Sequence, residues 1–160
     1  MQIRARLAAV VAGVFLLVCG LAHAQAPAYA QASTARAERE LLTYVNRARQ
    51  AQGLPALRWD ESLAAAARRH AEVMARHGSA EHGFEGEPSL SARVKEAGAR
   101  FSWLAENVAL GPTVEFIHSQ FMNSARHRAN ILDRDMDSIG VGVVERGGQF
   151  FVAEDFSQAR

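Results

Sequence analysis

Apolar side chains recur three and four residues apart in the first half of the chain, which is the spacing of an amphipathic α-helix. A first helix is predicted by a stripe that contains Leu41, Tyr44, Val45 and Ala48. Gly53 and Pro55 predict its end. A second helix is predicted between Asp60, a favourable N-cap, and Gly78. Its apolar face is rich in alanine, so we expect it to pack closely against a sheet.

Shorter elements follow between residues 79 and 123. Residues 79–87 combine glycines with charged side chains and predict a loop. Pro88 at a first helical position predicts a short helix that ends at Gly98. Residues 101–110 predict a short strand or an extended segment. Thr113 is the expected cap of a further helix, whose apolar stripe contains Val114, Ile117, His118 and Phe121.

Toward the end of the chain the period of the apolar positions changes from helical to two. Residues 139–144 and 149–156 both show this alternation, and Gly147 and Gly148 lie between them. The pattern predicts a β-hairpin. Because helices come first and strands last, without a repeat, we predict an α+β fold with an antiparallel sheet.

The amino-terminal residues have a different pattern from the rest of the chain. Arg4 and Arg6 precede an apolar run over residues 7–21, and a small-x-small cleavage pattern ends at Ala24. The run is shorter than the roughly 20 residues that a helix needs to cross a bilayer. We therefore predict a secretory signal peptide over residues 1–24, cleaved near Ala24.

The remaining chain is expected to form a leader and one domain. Residues 25–36 are rich in alanine and glutamine and predict a flexible leader. Residues 37–158 are enough for one domain with its own core, since 49% of the chain is hydrophobic. The sole cysteine, Cys19, lies in the signal, so the domain has no disulfide. We expect a secreted or periplasmic monomer.

The charge balance argues against two classes of partner. Removal of the signal takes two of the 18 basic residues and none of the 17 acidic ones, which leaves 16 basic residues against 17 acidic ones. No basic stripe interleaved with aromatic residues is visible, so we expect no nucleic-acid partner. We also expect no stable membrane insertion after cleavage, because no amphipathic membrane-binding helix is recognisable.

Candidate chemistry concentrates in a few places along the sequence. Residues 121–132 crowd polar side chains at a predicted helix end and then return to an apolar pair, which is typical of a surface cleft. His82, Glu106 and His127 each lie in a loop or at an element end. Two neutral imidazoles and one carboxylate are a suitable ligand set for a zinc site with an open position. The alternative is three solvated side chains.

Several short motifs follow one another in an order that resembles a known family. They are Val45-Asn46-Arg47-Ala48-Arg49, Gly53-Leu54-Pro55-Ala56-Leu57, Trp59-Asp60, His82, Ala105-Glu106-Asn107-Val108-Ala109, Ser124-Ala125-Arg126-His127-Arg128-Ala129-Asn130-Ile131-Leu132 and Ile139-Gly140-Val141-Gly142. With these motifs the chain resembles the CAP family, named for cysteine-rich secretory proteins, antigen five and pathogenesis-related proteins. It is most similar to the cysteine-poor bacterial branch. The resemblance implies a three-layer α-β-α sandwich with a central cleft.

The resemblance also implies which residues line that cleft. In the better-known members two histidines and two glutamates lie there and can bind zinc. His82, Glu106 and His127 match three of these four positions. The fourth position is Ser124, so one anionic ligand is missing and a weak zinc site or none is implied. The other residues that we expect in the cleft are Asn107, Arg126, Arg128 and Asn130.

Three functions remain open from the sequence. The first is binding of a small apolar, lipid-like or cell-envelope ligand in the cleft. The second is a peptidase- or esterase-like hydrolase, in which Ser124 is the nucleophile, His127 the base and Glu106 the group that orients the imidazole, or in which a metal-bound water attacks. The third is a structural extracellular interaction module, in which Ser124 only caps a helix end. We expect the first, without demonstrable enzyme activity.

Overall fold

The computed structural model describes the backbone of residues 15–159 and the side chains of residues 33–158. The chain divides into two units, residues 1–33 and residues 34–160, and the second contains the fold described below. The helices are α1 (Phe15–Ala51), α2 (Glu61–His77), α3 (Leu90–Glu96), α4 (Val114–Asn123) and α5 (Ala125–Ile131). The strands are β1 (Arg58–Trp59), β2 (Phe101–Gly111), β3 (Ser138–Arg146) and β4 (Gln149–Ala159).

Helix α1 includes the segment that the sequence assigns to a leader. Its described part runs from Phe15 to Ala51, so residues 25–36 lie within it. Residues 1–14, where the predicted signal begins, lie outside the described residues. The predicted cleavage near Ala24 and the division into signal, leader and domain stay predictions. In the part of the chain that the structure describes, no helix is both long enough and apolar enough to span a bilayer.

The four strands form one sheet in the order β1-β3-β4-β2. β3 and β4 form the predicted hairpin, and β2 pairs antiparallel with β4 along the other side. The expectation of a purely antiparallel sheet is wrong at one edge, because the two-residue β1 pairs parallel with β3. A pairing of two residues leaves almost no alternating pattern in the sequence, so the strand gave no signal of its own.

Helices cover both faces of the sheet, as the α+β prediction requires. On one face, α1, α4 and α5 pack against β3 and β4. The main buried residues there are Leu41, Val45, Ile117, Phe121, Ile131, Ile139, Val141, Val152 and Phe156. On the other face α2 contributes Ala67, Ala71 and Met74 to a cluster with Val108 and Phe151. Val94 of α3 completes this layer against Leu63.

The alanine-rich face of α2 approaches β3 as closely as its composition predicts. A Cβ atom added at Gly140 would lie 2.0 Å from the Ala64 nitrogen, and one at Gly142 would lie 2.2 Å from the Ala67 carbonyl carbon. Neither distance is sterically allowed, so only glycine fits at this crossing. The result is a rigid contact between α2 and the centre of the sheet.

Most predicted helix ends are confirmed, and one is displaced. Asp60 caps α2 by accepting the backbone N–H groups of Ser62 and Leu63. The predicted start of α3 at Pro88 is wrong, since the helix begins at Leu90. Ser89 is its N-cap and accepts the Ala92 N–H, and a serine cap overrides the weaker preference for proline at the first helical position.

Candidate functional site

The candidate site lies along β2, which is an edge strand of the sheet. Two consecutive residues of β2 point to opposite faces, because the side-chain period of a strand is two. Glu106 pairs with Asp155 of β4, and Asn107 pairs with Glu154. The contacts below show that Glu106 faces α2 and α3, whereas Asn107 faces α5. We call the group of His82, Glu106 and His127 the β2 edge site.

On the α3 face the Glu106 carboxylate holds His82 and is itself held by Arg93. His82 Nδ1 lies 2.8 Å from Glu106 Oε2, and Arg93 Nη2 donates a short hydrogen bond to Glu106 Oε1. The side chains of Glu106 and Arg93 are 3% and 4% exposed, whereas that of His82 is 62% exposed. A buried ion pair therefore orients one exposed imidazole.

This contact also decides the chemistry of the His82 ring. A carboxylate only accepts hydrogen bonds, so His82 Nδ1 carries the proton, and Nε2 has no hydrogen-bond partner among the described residues. The hydrogen bond to Glu106 raises the pKa of His82, and partial burial opposes that shift. His82 therefore gains a positive charge more readily than an isolated histidine, and as a cation it donates from Nε2.

The loop that carries His82 is anchored by a second, fully buried histidine. His70 of α2 places Nδ1 2.7 Å from Glu87 Oε1 and Nε2 2.8 Å from the Glu81 carbonyl oxygen. Arg93 Nη1 donates to the Pro88 carbonyl at 3.1 Å. Both ends of the loop are thus tied to helices, which fixes the position of His82 between them.

Asp155 lies behind this group, opposite Glu106 in the strand register. Burial raises the pKa of Asp155 well above its ordinary value, and the neighbouring negative charge of Glu106 raises it further. Neither carboxyl oxygen of Asp155 has a hydrogen-bond partner among the residues that the structure describes. Both effects favour the neutral form of Asp155, which lies beneath the carboxyl group that bonds His82 and Arg93.

On the α5 face two asparagines tie the sheet to the helix that carries His127. Asn107 Nδ2 donates to the His127 carbonyl oxygen and to Glu154 Oε2, both at 3.2 Å. Asn130 Nδ2 donates to Asn107 Oδ1 at 2.9 Å and to the Glu106 carbonyl at 3.3 Å. Both amides are therefore used inside the protein, in contacts that hold backbone and neighbouring side chains.

His127 differs from His82 in its surroundings. Its ring packs edge-on against Phe121 with 5.1 Å between ring centres. Partial burial lowers the pKa of His127, and the nearby charge of His82 lowers it further. The β2 edge site thus combines an imidazole whose pKa is raised with one whose pKa is lowered.

The structure does not join Ser124, His127 and Glu106 by hydrogen bonds. Ser124 lies between α4 and α5, where its N–H bonds the Gln120 carbonyl and its hydroxyl makes no capping bond. Both oxygens of Glu106 are bonded by other side chains, those of His82 and Arg93. Glu106 therefore orients His82 rather than His127.

The two arginines that were expected beside the cleft are both exposed, and they differ in their contacts. Arg128 Nη1 donates to the Met122 carbonyl at 2.8 Å, which gives it a local role at the junction of α4 and α5. The Arg126 side chain makes no hydrogen bond or ion pair with the described part of the chain, so its guanidinium is available to solvent or to a ligand.

The described residues do not fit the zinc ion that the family resemblance implies. Within residues 33–158 no three His, Cys, Asp or Glu side chains form a group that could hold a metal. The Glu106 carboxylate already carries the cationic Arg93, which competes with any metal for its oxygens. Two imidazoles are fewer than the three protein ligands of a catalytic zinc site. Zinc binding stays a prediction without support from this geometry.

Arg93 and Glu154 belong to this network, and sequence analysis missed both. The signal was present, since Arg93 falls three residues after Leu90 and one before Val94, on the apolar stripe of α3. Glu154 likewise falls between Val152 and Phe156 on the core side of β4. A charge on an apolar stripe indicates a buried partner, but the sequence does not say which.

Comparisons with known proteins agree with the fold. The model of the cysteine-rich secretory protein family, CAP, matches residues 42–156. The Bacillus subtilis protein YkwD is 34% identical over 119 residues, which are 74% of this chain and 46% of that protein. This chain therefore spans less than half the length of that relative.

Two solved structures share the fold at lower identity. An extracellular protein with an SCP domain from Bacillus anthracis superposes with a TM-score of 0.77 at 23% identity, over 82% of this chain and 43% of that one. An outer surface protein of Borrelia burgdorferi gives a TM-score of 0.73 at 19% identity, over 79% of this chain and 96% of that one. With the match of the family model to most of the chain, the conclusion is that this protein belongs to the CAP family of cysteine-rich secretory proteins.

Proposed function

We propose that this chain is a secreted or periplasmic binding protein whose ligand, derived from the cell envelope, contacts His82 and His127 at the β2 edge site. The observation that carries the proposal is the buried Arg93–Glu106 pair that orients an exposed imidazole. The relatives with solved structures are described as an extracellular and an outer surface protein, which supports this location.

A structural role alone does not account for the Arg93–Glu106 pair. Burial of two charges costs free energy that their attraction only partly offsets, so a buried ion pair contributes little net stability. Its clearest effect here is to fix the tautomer and direction of His82, whose side chain is otherwise in water. A fixed orientation of a solvent-exposed ring favours binding of a ligand to that ring, because the ring is already in position before the ligand arrives.

The two imidazoles define the part of a ligand that they would recognise. His82, whose pKa is raised by its hydrogen bond to Glu106, gains a positive charge and a second N–H donor more readily than an isolated imidazole, whereas His127, whose pKa is lowered by burial, more readily keeps an acceptor nitrogen. A ligand with an anionic or carbonyl oxygen next to a hydroxyl or amide N–H complements this pair. Muropeptides and the polar ends of envelope lipids carry such groups, so we favour a ligand with a polar end over a purely apolar one.

Hydrolysis has weaker support. A serine nucleophile needs its base within hydrogen-bond reach, and the Ser124 hydroxyl has no such partner among the described residues. The carboxylate that should orient His127 is bonded to His82. We therefore do not propose the hydrolase, and the structural module is the alternative that the experiment must separate.

Binding can be tested by NMR on protein labelled with 15N in its histidine rings. The probes are soluble muropeptides from digested peptidoglycan and, separately, a long-chain fatty acid. We expect one probe to shift the ring signals of His82 and His127 together, and His82→Ala to weaken binding by about tenfold or more. His77→Ala is the matched control, since His77 is exposed, stacks on Phe84 and has no carboxylate partner within residues 33–158.

Two results would contradict the proposal. One is a probe that binds equally well to His82→Ala and to the unaltered protein. The other is a loss in His77→Ala as large as that in His82→Ala, which would indicate a general surface effect. If neither probe binds and all variants keep their stability, the structural module is favoured.

A further inference from the structure

A cavity lies where α3 ends and β2 begins, separate from the β2 edge site. Its volume is about 560 Å³, and it is lined by Lys95, Ala99, Arg100 and Phe101. None of these residues belongs to the β2 edge site. Two of the four lining side chains are cations and one is an aromatic ring.

Both cations of this cavity lack an acidic partner in the described part of the chain. Arg58, Arg68 and Arg93 each form an ion pair with a carboxylate, whereas the side chains of Lys95 and Arg100 form none there. The Lys95 ammonium lies 5.8 Å from the centre of the Phe101 ring, so it is held over the cavity wall by a cation–π contact. Uncompensated charge therefore faces this cavity.

Helix electrostatics explain only one of the two cations. Lys95 lies in the last turn of α3, where a positive charge is favourable near the free carbonyl groups. Arg100 lies four residues after the end of α3, so the helix dipole does not explain its position. The exposed Glu96 next to Lys95 forms no ion pair with either cation within residues 33–158.

We propose that this cavity binds a phosphate group of an organic phosphate ester. A lysine ammonium and an arginine guanidinium complement each other at such a group, one as a compact charge and the other as a planar donor of two parallel hydrogen bonds. The Phe101 ring gives the organic part of the ester an apolar surface. The site is independent of the β2 edge site, so neither proposal depends on the other.

The sequence offers an unusually selective probe, because Lys95 is the sole lysine of the chain. Reductive methylation with 13C-formaldehyde labels amines and keeps their charge, so it yields one side-chain signal besides the amino terminus. The labelled protein is titrated at constant ionic strength with glycerol 3-phosphate, inorganic phosphate and sodium chloride. Vesicles of phosphatidylglycerol and of phosphatidylcholine form two further arms.

We expect the Lys95 signal to shift saturably with glycerol 3-phosphate or with phosphatidylglycerol vesicles, and not with chloride. Saturation by the soluble ester identifies a free phosphate ester as the source, and a response to the anionic vesicles alone identifies a lipid headgroup. Arg100→Gln should weaken the response by about tenfold or more, because a charge-assisted hydrogen bond is lost. Arg134→Gln, an exposed arginine outside the cavity, is the matched control.

The proposal is overturned if every phosphate arm behaves like chloride. It is also overturned if Arg100→Gln responds like the unaltered protein, or if Arg134→Gln loses as much as Arg100→Gln, since the response would then reflect net charge. If the Lys95 signal does not respond to phosphate esters while muropeptides still bind at His82, the phosphate site is refuted and the proposed function is unaffected.

Discussion

Glu154 makes the stability of this protein depend on pH in a way that one substitution should remove. The carboxyl group is fully buried, and Asn107 donates its one hydrogen bond, to Oε2. Oε1 has no partner among the described residues. Burial raises the pKa of Glu154 from 4.5 to about 8, against the smaller opposing effect of Asn107. In the folded protein the group is therefore protonated at neutral pH.

The sign and size of the effect follow from proton linkage. Between pH 4.5 and pH 8 the folded state holds a proton that the unfolded state has released, so the free energy of unfolding falls as pH rises. The contribution is fully present below pH 4.5 and is lost as pH rises through 8. At about 1.4 kcal/mol for each unit of pKa difference, the loss is about 3 kcal/mol at pH 7 and about 5 kcal/mol above pH 8.

Glu154→Gln keeps the shape and the acceptor oxygen but has no proton to release. Urea unfolding of the variant and the unaltered protein, from pH 5 to pH 8 at constant ionic strength, measures the difference. We expect the variant to be more stable by about 3 kcal/mol at pH 7 and by no more than about 1 kcal/mol at pH 5. A residual slope should persist because Asp155, whose pKa burial also raises, still titrates.

The exposed Glu72→Gln controls for the change in net charge and should leave the slope unaltered. The reasoning fails if Glu154→Gln retains the full pH dependence, or if it is less stable than the unaltered protein at pH 8. Either result would mean that Glu154 is ionised in the folded protein, with a partner that neutralises it.

Three further predictions concern the core and the site. Arg93→Met should lower the free energy of unfolding by about 3–5 kcal/mol at pH 7, since Glu106 would stay buried without its cation; an equal loss in the exposed Arg76→Met would contradict this. Gly142→Ala should destabilise by about 3 kcal/mol or more in urea unfolding because its Cβ meets the α2 backbone, whereas Gly83→Ala, with nothing within 4 Å, should change little. Calorimetric titration with zinc should show no binding heat at micromolar concentrations. Zinc uptake that disappears when both imidazoles of the β2 edge site are replaced by alanine would overturn that expectation.

The elements that were predictable from sequence are those whose signal is local. The N-cap at Asp60, the end of α2 at Gly78 and the hairpin around Gly147 each depend on residues within a few positions of one another, and all are confirmed. The close packing of α2 on the sheet was predictable for the same reason, because the small side chains of its alanine-rich face allow a strand to approach closely. The parallel pairing of β1 depends on Ser138, far along the chain, and no local pattern indicates it.

The candidate site was predictable as a group of residues but not as a set of contacts. The chemistry of the side chains and the family resemblance predicted that His82, Glu106 and His127 lie together, and the structure joins the first two at 2.8 Å. The hydrolase alternative required the Glu106 carboxylate to orient His127, whereas that carboxylate is divided between His82 and Arg93. Arg93 reaches Glu106 because α3 packs against this part of the sheet. The period of the apolar residues does not predict that packing.

The position of the two histidines relative to the sheet limits how a ligand can reach both. His82 is held by Glu106 on one face of β2, and the backbone of His127 is held by Asn107 on the other. The side chains of consecutive strand residues point in opposite directions, so the β2 backbone itself lies between the two attachments. Because β2 is an edge strand, the route between the faces passes over its free edge rather than through the core. A ligand that contacts both imidazoles must therefore lie across this edge, where Asn130 already bonds the Glu106 carbonyl oxygen. This favours a ligand with several hydrogen-bonding groups along its length, such as a muropeptide, over a compact apolar molecule.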